Sequence, residues 1–504
     1  MGTEVELKLV TSKSGLRKAL SLPWLKRIAG DNITTRQLVS VYFDTRNFAL
    51  RDRGVSLRVR RTGGQLVQTI KANSPVPMAR GEWETEIDRE RPRLELARRT
   101  ALAPVLNREI AHHLKPVFET RVERTVIPLH VGRSEIELAL DDGRVATADC
   151  GIDLAEIEIE LKRGERRDMA RLAKKLAHAV PLTLGARAKA EWGYALLEGA
   201  VNAPAWAGEV ALSPQTSSAD AFVAIGLACL RQVAGNTLAV DHGDGEGIHQ
   251  MRVGLRRLRA AMSLFKEMLE GRETERIKGE LRWLTAQLGP ARDTDVFVNK
   301  TVAPYLKRHQ QDSEFAMLAQ DLERVRSAGF AQARAAVEGD RFRRILLDCA
   351  LWLLDGDWRS DNDALRRAMR ERGAAAFAQD ELARRSRTII KRVKRLERLD
   401  AMGRHKLRIA VKKLRYGREF FKSLDGGRRK AGRKIDRALK GLQGALGSLN
   451  DMRVHMERAR ELVRANGASR KAFAAGYLVG CEQARAGDVL AEALAAGKRL
   501  KKAA

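Results

Sequence analysis

The chain follows two different hydrophobic patterns, and the change falls near residue 200. Before that point polar and apolar residues alternate with a period of two, as in EVELKL at 4–9, VSLRVRR at 55–61 and EIEIELK at 156–162. Such alternation is typical of β-strands with one polar and one apolar face. After about residue 219, long segments rich in Ala, Leu, Arg and Glu place their apolar residues at helical spacing. The sequence therefore predicts a strand-rich first part and an all-α second part.

A segment rich in small residues separates the two patterns. The stretch GAVNAPAWAGEVALSPQTSS at 199–218 includes Pro204 and Pro214, and this composition is typical of a linker. We therefore expect a first domain over 1–200, a linker over 201–218 and a second domain over 219–504. In the first domain the patterns predict helices near 12–29, 94–114 and 166–178, and turns at Gly63–Gly64 and Asp142–Gly143.

The charge of the chain points to a polyanionic partner. The 504 residues carry a net charge of +30, and the stretch 401–450 alone has 15 basic residues against three acidic ones. Such an excess favours nucleic acid, polyphosphate or an anionic membrane surface. Aromatic residues make up only 5% of the chain, which weakens any mode of binding that stacks bases on side chains. Nucleic acid is therefore the weaker candidate.

The cysteines and the apolar segments give information about the cellular compartment of the protein. Cys150, Cys229, Cys349 and Cys481 lie far apart, which indicates neither a zinc site nor a disulfide framework. We expect no apolar run of membrane-spanning length, and the first residues show no leader with a basic and then an apolar part. The sequence thus predicts a cytoplasmic protein that makes no use of a membrane, with polyphosphate granules as a place where it could bind.

Charged residues of both signs recur on the polar faces of the predicted strands. For a single strand the default explanation is a face that contacts water over an open antiparallel sheet. If the sheet closes, however, the same faces would line a water-filled interior. There, cations would bind phosphate oxygens and carboxylates would hold a divalent metal ion against the same phosphates. The alternation alone leaves both possibilities open.

Motifs that follow one another along residues 1–200 resemble those of the CYTH domain, the triphosphate tunnel metalloenzyme fold. An E-x-E-x-K strand begins the series with Glu4, Glu6 and Lys8. The later motifs are YFDT at 42–45, the Arg58/Arg60 pair, Lys71, EWE at 82–84, ETRVERT at 119–125, LDDG at 140–143, EIEIELKRG at 156–164 and Lys189. The resemblance implies an α+β chain that begins with an eight-stranded antiparallel tunnel with flanking helices. By similarity, this tunnel would bind a linear triphosphate.

The resemblance also implies roles for single residues. The phosphate-binding residues would be Lys8, Arg58, Arg60, Lys71, Arg121, Arg124 and Lys189. The metal ligands, for Mg²⁺ or Mn²⁺, would be Glu4, Glu6, Glu82, Glu84, Asp141, Glu158 and Glu160. Glu4, Glu6 and Lys8 would act in catalysis.

Three residues of these motifs have less certain places. Arg121 and Arg124 are three apart, so a regular strand directs only one of them into the tunnel, and the sequence does not say which. Glu156 shares the face of the last acidic strand, and we expect it to be an exposed carboxylate near the tunnel mouth rather than a ligand.

The second part of the chain contains an internal repeat. The segment HQMRVGLRRLRAAMSLF at 249–265 matches HKLRIAVKKLRYGREFF at 405–421, with the two histidines 156 residues apart. A second pair follows, LGPARDTDVF at 288–297 and LGSLNDMRVH at 446–455, with an offset of 158. Two markers in the same order at a nearly constant offset indicate two duplicated helical halves.

Each repeat helix carries a basic strip beside its apolar face. At 100° per residue, the strip falls within an arc of about 80°. A basic face on one helix is usually exposed to water, but two strips kept in register would form a cationic groove suited to phosphate oxygens. Arg rather than His or carboxylate three residues after each histidine argues against a metal site. The strips consist of His249, Arg252, Arg256 and Arg259, and of His405, Arg408, Lys412 and Arg415.

These repeats resemble the CHAD domain, the conserved-histidine α-helical domain, over about residues 219–504. The resemblance implies two halves like four-helix bundles around a basic channel that binds inorganic polyphosphate through the eight strip residues. Arg257 and Lys413, at the edge of the strips, would be secondary binding residues. We expect Asp293 and Asp451 to orient the cations or cap helices, because a carboxylate repels phosphate.

The two resemblances together support one functional hypothesis and leave two others open. The first is a metal-dependent inorganic triphosphatase that cleaves tripolyphosphate to pyrophosphate and phosphate, with a helical domain that binds long-chain polyphosphate. The second is a thiamine triphosphatase or an adenylate cyclase on the same tunnel. The third is a non-enzymatic binder of polyphosphate or nucleic acid, which the many carboxylates of the strands disfavour.

Overall fold

The fold combines a sheet-rich first part with a helical second part, as the alternation predicts. The computed structural model describes residues 2–73, 79–307, 313–425, 429–466 and 469–503. The strands are β1 (Gly2–Val10), β2 (Thr34–Asp44), β3 (Val55–Thr62), β4 (Gln65–Asn73), β5 (Ala79–Ile87), β6 (Lys115–Val131), β7 (Ser134–Ala146), β8 (Gly151–Arg163) and β9 (Thr183–Leu184).

Helices flank the sheet in the first part and make up the second. Those of the first part are α1 (Lys13–Ser21), α2 (Pro23–Ala29), α3 (Arg108–His113), α4 (Arg166–Ala179) and α5 (Lys189–Leu197). The second part contains α6 (Ser218–Gly235), α7 (Thr237–Asp241), α8 (Gly245–Leu264), α9 (Arg272–Gln287), α10 (Gly289–Phe297), α11 (Ala303–Leu306), α12 (Ser313–Glu338), α13 (Asp340–Asp355), α14 (Asp357–Ser360), α15 (Ala364–Glu371), α16 (Ala374–Val393), α17 (Ala401–Phe420), α18 (Arg429–Asn466), α19 (Ser469–Ala484) and α20 (Ala486–Ala503). Short 3₁₀-helices span Arg51–Arg53, Leu94–Arg99, Lys266–Met268, Leu396–Arg398 and Lys422–Leu424, and a π-helix spans Val298–Val302.

Eight of the strands close into a ring. The order is β5-β4-β3-β2-β6-β7-β8-β1, and β1 returns to pair with β5. In that closing pair Gly2 lies opposite Glu82 and Val5 opposite Ala79. Each ladder in the ring is antiparallel. The predicted eight-stranded antiparallel tunnel is therefore confirmed, with the two-residue β9 added beside the end of β1.

Glycines act differently at the two predicted turns. Gly63 and Gly64 have φ of +53° and +93° and connect β3 to β4, a conformation that glycine adopts without strain. The predicted turn at Asp142–Gly143 is wrong, because both residues lie inside β7. A Cβ on Gly143 would meet the carbonyl oxygen of Arg121 at 2.5 Å, so the glycine permits close approach to β6.

The apolar faces of the strands form the outer layer of the tunnel wall. Leu7 and Leu9 of β1 and Ile157 and Ile159 of β8 are buried in one core with residues of α1 and α4. The predicted helices near 12–29 and 166–178 are confirmed. The predicted helix over 94–114 is only a 3₁₀-helix at Leu94–Arg99 and the short α3. Because the apolar side chains face outward onto helices, the charged side chains face inward.

The second part consists of two halves related by an offset of 156 residues. Both α6 and α16, and likewise α8 and α17, begin 156 residues apart. Asp244 and Asp400, which also differ by 156, cap α8 and α17. The halves meet at a bridge in which Ser218 N donates to Arg372 O at 2.7 Å and Ala374 N donates to Thr216 O at 2.9 Å. This reciprocal pair of hydrogen bonds indicates an approximate two-fold relation.

The two parts of the chain share a hydrophobic core. Residues 200–216 form neither helix nor strand, and α6 begins at Ser218. Leu182 and Leu184 from the first part belong to the same buried cluster as Phe222 and Trp352 from the second. The tunnel therefore rests directly against the first helical half.

One helical stretch is apolar enough to test the expectation about membranes. An 18-residue window within residues 218–241 has a mean hydropathy of 1.4, so the expectation that no run is long enough is wrong by length and composition. More than half of this stretch is buried inside the fold, and Phe222, Ile225 and Leu230 are fully buried. This burial is typical of the core helix of a helical domain.

Candidate active site

The closed sheet encloses a cavity lined mostly by charged side chains. Its volume is about 240 Å³. The lining comes from the inward faces of the strands and from the first residues of α5. An open sheet with solvated polar faces is thereby excluded for this part of the chain. The charged lining residues are Glu6, Lys8, Arg58, Arg60, Lys71, Glu82, Glu84, Arg124, Glu137, Asp141, Glu158, Glu160, Lys162 and Lys189.

An ion-pair network covers one wall of this cavity, where β1 and β8 lie side by side. Strand register places Lys8 opposite Glu158 and Glu6 opposite Glu160. Lys8 Nζ lies 2.6 Å from Glu158 Oε1. Lys189, the first residue of α5, directs its ammonium into the same network. Cations and carboxylates from neighbouring elements therefore lie next to each other along this wall.

Lys189 and Arg124 link three carboxylates in the network. Lys189 Nζ lies 2.7 Å from both Asp141 Oδ2 and Glu156 Oε2, and 2.8 Å from Glu158 Oε1. Arg124 donates two hydrogen bonds to Asp141, at 2.7 and 2.6 Å, and also contacts Glu158. Such bidentate pairing fixes the guanidinium plane.

The network keeps its members charged despite their burial. Burial by itself lowers the pKa of Lys189, but the carboxylates of Asp141, Glu158 and Glu156 raise that pKa well above its usual value. In the opposite sense, burial raises the pKa of Glu158, but Lys189, Lys8 and Arg124 hold it well below its usual value. Cations and carboxylates therefore stabilise each other in this wall.

The opposite wall, formed by β2 to β5, carries cations with looser partners. Lys71 Nζ lies 3.1 Å from Glu82 Oε1, whereas Arg58 lies 3.9 Å from the same atom. Arg60 donates to the hydroxyl of Ser40 at 3.3 Å. Burial, Arg58 and Arg124 lower the pKa of Arg60 to about 10. An anion in the cavity would relieve this repulsion between neighbouring cations.

The carboxylates of the first wall fit a divalent metal ion. Asp141, Glu156 and Glu158 each offer an oxygen, and these oxygens lie within 4.8 Å of one another. Glu156 Oε1 is buried and accepts no hydrogen bond from the described part of the chain, which is costly unless a cation or donor completes it. Carboxylate oxygens are the ligands that Mg²⁺, Ca²⁺ and Mn²⁺ prefer. The donor set is thus chemically suited to such an ion.

Two expectations about these residues are wrong, and a third falls outside the described side chains. Arg121 points away from the tunnel: its side chain is 71% exposed and pairs with Glu119, because Arg124 takes the inward position on β6. Glu156 is buried rather than exposed near the mouth, since its side chain is only 1% exposed. Glu4 lies in β1, but its side chain is outside the part that the structure describes.

The basic strips of the helical part also come together. Arg256 on α8 is one of the charges that lower the pKa of both Arg408 and Lys412 on α17. Burial, Arg408 and Arg256 lower the pKa of Lys412 to about 7. Asp293 lies 3.3 Å from Arg252, and Asp451 lies 3.8 Å from Arg408. Both aspartates thus lie beside strip cations, and their role in orienting those cations stays a prediction.

The two histidines of the strips have different surroundings. His405 Nδ1 lies 2.8 Å from Asn450 Oδ1. His249 Nδ1 is buried and has no hydrogen-bond partner among the described residues, because Arg292 stands in the first half where Asn450 stands in the second. Burial and the cations Arg292, Arg256 and Arg252 lower the pKa of His249 to about 4, so this imidazole is neutral at pH 7.

Arg257 and Lys413 connect the two halves instead of lining the strips. Arg257 is fully buried and lies 2.9 Å from Glu419, and it also donates to Gln232 at 3.0 Å. Lys413 donates to Ser263 at 3.0 Å. Since Ser263 and Glu419 are themselves 156 residues apart, these are the same contact made twice. The expectation that Arg257 binds phosphate is therefore wrong.

Two family models match consecutive parts of the chain. The CYTH domain matches residues 2–194, and the CHAD domain matches residues 224–460. The protein is a CYTH domain followed by a CHAD domain. CYTH triphosphate tunnel enzymes are metal-dependent, in agreement with the carboxylate cluster described above.

Two relatives are each similar to a part of the chain. An inorganic triphosphatase of Haemophilus influenzae is 28% identical over 200 residues, which cover 38% of this chain and 54% of the relative. The chain thus spans about half the length of this curated relative. The crystal structure of the CHAD domain from the plant Ricinus communis is 29% identical, with a TM-score of 0.51, and covers 59% of this chain and 96% of that one.

A third match is weak. HpAC1 from Hippeastrum, an adenylyl cyclase candidate described with a dominant triphosphatase activity, is 18% identical over 39% of this chain and 96% of that chain. Its TM-score is 0.29, and a likeness at this level does not bear on function.

The CYTH domain also contains lining residues that were not among the predicted site residues. Tyr42 accepts a hydrogen bond from Arg58 at 3.4 Å. Burial by itself raises the pKa of Tyr42, but Arg58 and the neighbouring cations bring it below its usual value. Glu137 on β7 lies opposite Glu160 and lines the cavity. The signal for Tyr42 was available: it is two residues from Ser40 on β2 and belongs to YFDT. Asp44 of the same motif is structural, since it accepts from Tyr194 and from backbone amides.

Proposed function

We propose that the CYTH domain is a metal-dependent triphosphatase that hydrolyses inorganic tripolyphosphate to pyrophosphate and phosphate. One observation carries the proposal: cations and carboxylates in comparable numbers face each other inside a closed tunnel of about 240 Å³. A site that only bound polyanions would gain nothing from these carboxylates, because they repel phosphate. A hydrolase of phosphoric anhydrides needs both kinds of charge.

In this proposal, the cations of the wall formed by β2 to β5 bind the phosphates. Arg58 and Arg60 present guanidinium donors that match phosphate oxygens, and Lys71 adds a third cation beside them. The pKa of Arg60, lowered to about 10 in the free protein, would rise again once a phosphate oxygen pairs with it. These residues orient the chain of phosphates along the tunnel.

The other wall would hold the metal ion. Asp141, Glu156 and Glu158 would bind Mg²⁺ or Mn²⁺, and the ion would neutralise phosphate charge and lower the pKa of a bound water. Lys8 and Lys189 pair with these same carboxylates in the free protein, so each can exchange a carboxylate for a phosphate oxygen without losing its countercharge. Binding thus replaces ion pairs with other ion pairs and avoids stranding a buried charge.

We further propose that the CHAD domain binds long-chain polyphosphate along the facing strips of α8 and α17. Burial and neighbouring cations lower the pKa of Lys412 and of Arg408. Such lowered pKa values indicate that a bound anion would stabilise this surface. The protein would then hold a polymer of phosphate beside an enzyme for short phosphate chains. We still expect the protein to be cytoplasmic and to associate with polyphosphate granules.

Release of phosphate from tripolyphosphate, measured with Mg²⁺, with Mn²⁺ and with EDTA, tests the activity. Arg124→Gln should lower kcat/KM by about 100-fold or more, because an oriented donor to transition-state charge contributes that much. Arg121→Gln on the same strand is the matched control and should leave kcat/KM unchanged. Equal activity of both variants, or activity that persists in EDTA, would contradict the tunnel mechanism.

Substrate choice can be measured in the same assay. Thiamine triphosphate and ATP, tested beside tripolyphosphate, should show lower kcat/KM. A thiamine triphosphatase or an adenylate cyclase would instead turn over its own substrate faster, or form cyclic AMP. Such a result would replace the inorganic substrate while it kept the tunnel as the active site.

Polyphosphate binding is tested by charge reversal in the strips. The double variant Arg252→Glu with Arg408→Glu should weaken binding of long-chain polyphosphate by about 100-fold or more while it leaves tripolyphosphate hydrolysis intact. The control Arg344→Glu with Arg387→Glu makes the same change in net charge at two exposed positions outside the strips. Equal losses in both double variants would show that only net charge matters. Competition with RNA at several salt concentrations would show whether nucleic acid is preferred.

A further inference from the structure

A second basic cavity lies outside the strips, in the second half of the CHAD domain. It is formed by α16, α17 and the end of α8, and its volume is about 380 Å³. Ile389, Ile409 and Ala410 give it an apolar floor. Its lining contains six cations and no carboxylate: Lys266, Arg384, Arg385, Arg392, Lys406 and Lys413.

This cavity uses a different face of α17 from the strip. At 100° per residue, the strip residues of α17 span an arc of about 80° that ends at His405. Lys406, Ile409, Ala410 and Lys413 lie on an adjacent arc that begins about 40° beyond His405 and is centred more than 100° from the middle of the strip. A ligand on the strip and a ligand in the cavity would therefore contact different sides of the same helix.

In the first half of the CHAD domain, the place that corresponds to this cavity is filled. Lys413 corresponds to Arg257 by the offset of 156, and Arg257 is buried against Gln232 and Glu419. Lys406 corresponds to Gln250, whose amide accepts from Gln232 at 3.0 Å. In the first half, then, neutral amides and one carboxylate close the space around the cation.

The linker completes the closure of the first half. Asn236 donates to Ala205 O at 2.8 Å and accepts from Ala205 N at 3.0 Å, so the segment before α6 covers this place. In the second half Arg392 stands at the position of Asn236 and is exposed. The second half therefore has an open cavity and extra cations where the first half has a closed polar core.

Countercharges for these cations are few. Glu381 pairs with Arg385 at 2.6 Å and with Arg384 at 2.8 Å. Within the described ranges, no carboxylate pairs with Lys266, Arg392 or Lys406. Burial, Arg385 and Arg259 lower the pKa of Lys413. The cluster thus has an excess of positive charge that solvent alone balances.

We propose that this cavity is a second anion site of the CHAD domain, which binds the linked phosphates of a small oligophosphate. Six cationic groups spread around a space of about 380 Å³ match several phosphate oxygens better than one carboxylate, and the arginines can each bind two oxygens. The apolar floor can lie against a nucleoside or against a bare phosphate chain. The ligand is therefore a free oligophosphate, a nucleoside triphosphate or the end of a longer chain. This inference does not depend on hydrolysis in the tunnel.

Lysine acylation of the full-length protein, followed by mass spectrometry, tests the site residue by residue. Three probes are compared at physiological ionic strength: tripolyphosphate, ATP and long-chain polyphosphate. At least one should protect Lys266, Lys406 and Lys413 in a saturable manner, separately from Lys8 and Lys189 in the tunnel. Protection by tripolyphosphate shows that phosphates suffice, protection by ATP alone shows that the nucleoside is needed, and protection by the long chain alone identifies a chain end.

Variants decide whether the site is specific and separate. Arg392→Glu with Lys406→Glu should raise the ligand concentration for half-protection of Lys413 by about tenfold or more. The control Arg344→Glu with Arg387→Glu should leave it unchanged for each probe. The strip variant Arg252→Glu with Arg408→Glu should leave it unchanged for tripolyphosphate and ATP, which are too short to bridge the strip and the cavity. Arg392→Gln with Lys406→Gln replaces the first variant if that one fails to fold. The proposal is overturned if no probe protects these lysines, if the control loses protection equally, or if the strip variant abolishes it.

Discussion

The tunnel of the CYTH domain and the strips of the CHAD domain both gather cations that suit phosphate, but they balance charge in opposite ways. In the tunnel, Lys189 has three carboxylates within 2.8 Å, and its pKa is raised. In the strips, Lys412 has mainly cations around it, and its pKa is lowered to about 7. A tunnel with internal countercharges is therefore stable without its ligand. In the strips, by contrast, the cations repel one another, and a bound anion would relieve this repulsion.

The largest expected effect concerns the countercharges of the tunnel. Glu158→Gln should lower the free energy of unfolding by about 3 kcal/mol in metal-free buffer, because it removes a shared partner of Lys8, Lys189 and Arg124 inside a buried network. Chemical denaturation at pH 7 measures this change. Glu123→Gln on the exposed side of β6 is the control, with an expected change below about 0.5 kcal/mol. A stable Glu158→Gln protein would show that the tunnel cations need no internal partner.

A smaller effect concerns the pH dependence of polyphosphate binding. Lys412 is charged below its pKa of about 7 and loses its proton as the pH rises above that value. A bound polyanion raises this pKa, so the affinity should be highest below pH 7 and fall by about tenfold from pH 6 to pH 8. Titration with long chains measures it, since their few terminal phosphates add little to the change. Lys412→Arg should remove the dependence, and an unchanged slope in that variant would contradict the assignment.

The smallest expected effect is a gain in stability. Arg256 Nε is buried without a hydrogen-bond partner in the described structure, and Arg256 adds to the repulsion on Lys412. Arg256→Gln should therefore raise the free energy of unfolding by about 0.5 kcal/mol without ligand, and weaken polyphosphate binding by about tenfold. Denaturation curves with and without polyphosphate give both values. A loss of stability would mean that the strips are balanced internally, as the tunnel is.

The spacing of charged residues predicted which of them share a strand face, and the resemblance to the CYTH domain implied that these faces line a tunnel. Glu6, Lys8, Arg58 and Arg60 are two apart in pairs, and each pair lines the cavity. The choice between Arg121 and Arg124 was beyond the sequence, because β6 alone presents both faces at that place. Its pairing with β7, where Arg124 lies opposite Asp141, makes Arg124 the inward residue. The role of these residues as phosphate or metal ligands stays a prediction.

Glu156 and Arg257 show where local patterns fail. Glu156 shares the face of the last acidic strand and was expected to be exposed near the tunnel mouth, yet Lys8 and Lys189 contact it from β1 and α5. Arg257 was expected at a binding surface, yet Glu419 from the other repeat neutralises it in the core. In both cases the deciding partner lies more than 30 residues away in the chain, so no window along the sequence contains it.

The sequence by itself determined the division into a strand-rich and a helical part, the faces on which charged residues gather, and the duplication of the helical part. The closure of the sheet was decided only in three dimensions, because it depends on β1 meeting β5 about 80 residues later. The same is true of the open cavity beside Lys413, whose counterpart is closed by a linker residue, Ala205. Periodicity fixes which side chains share a face, whereas enclosure and countercharge depend on distant segments that pack together.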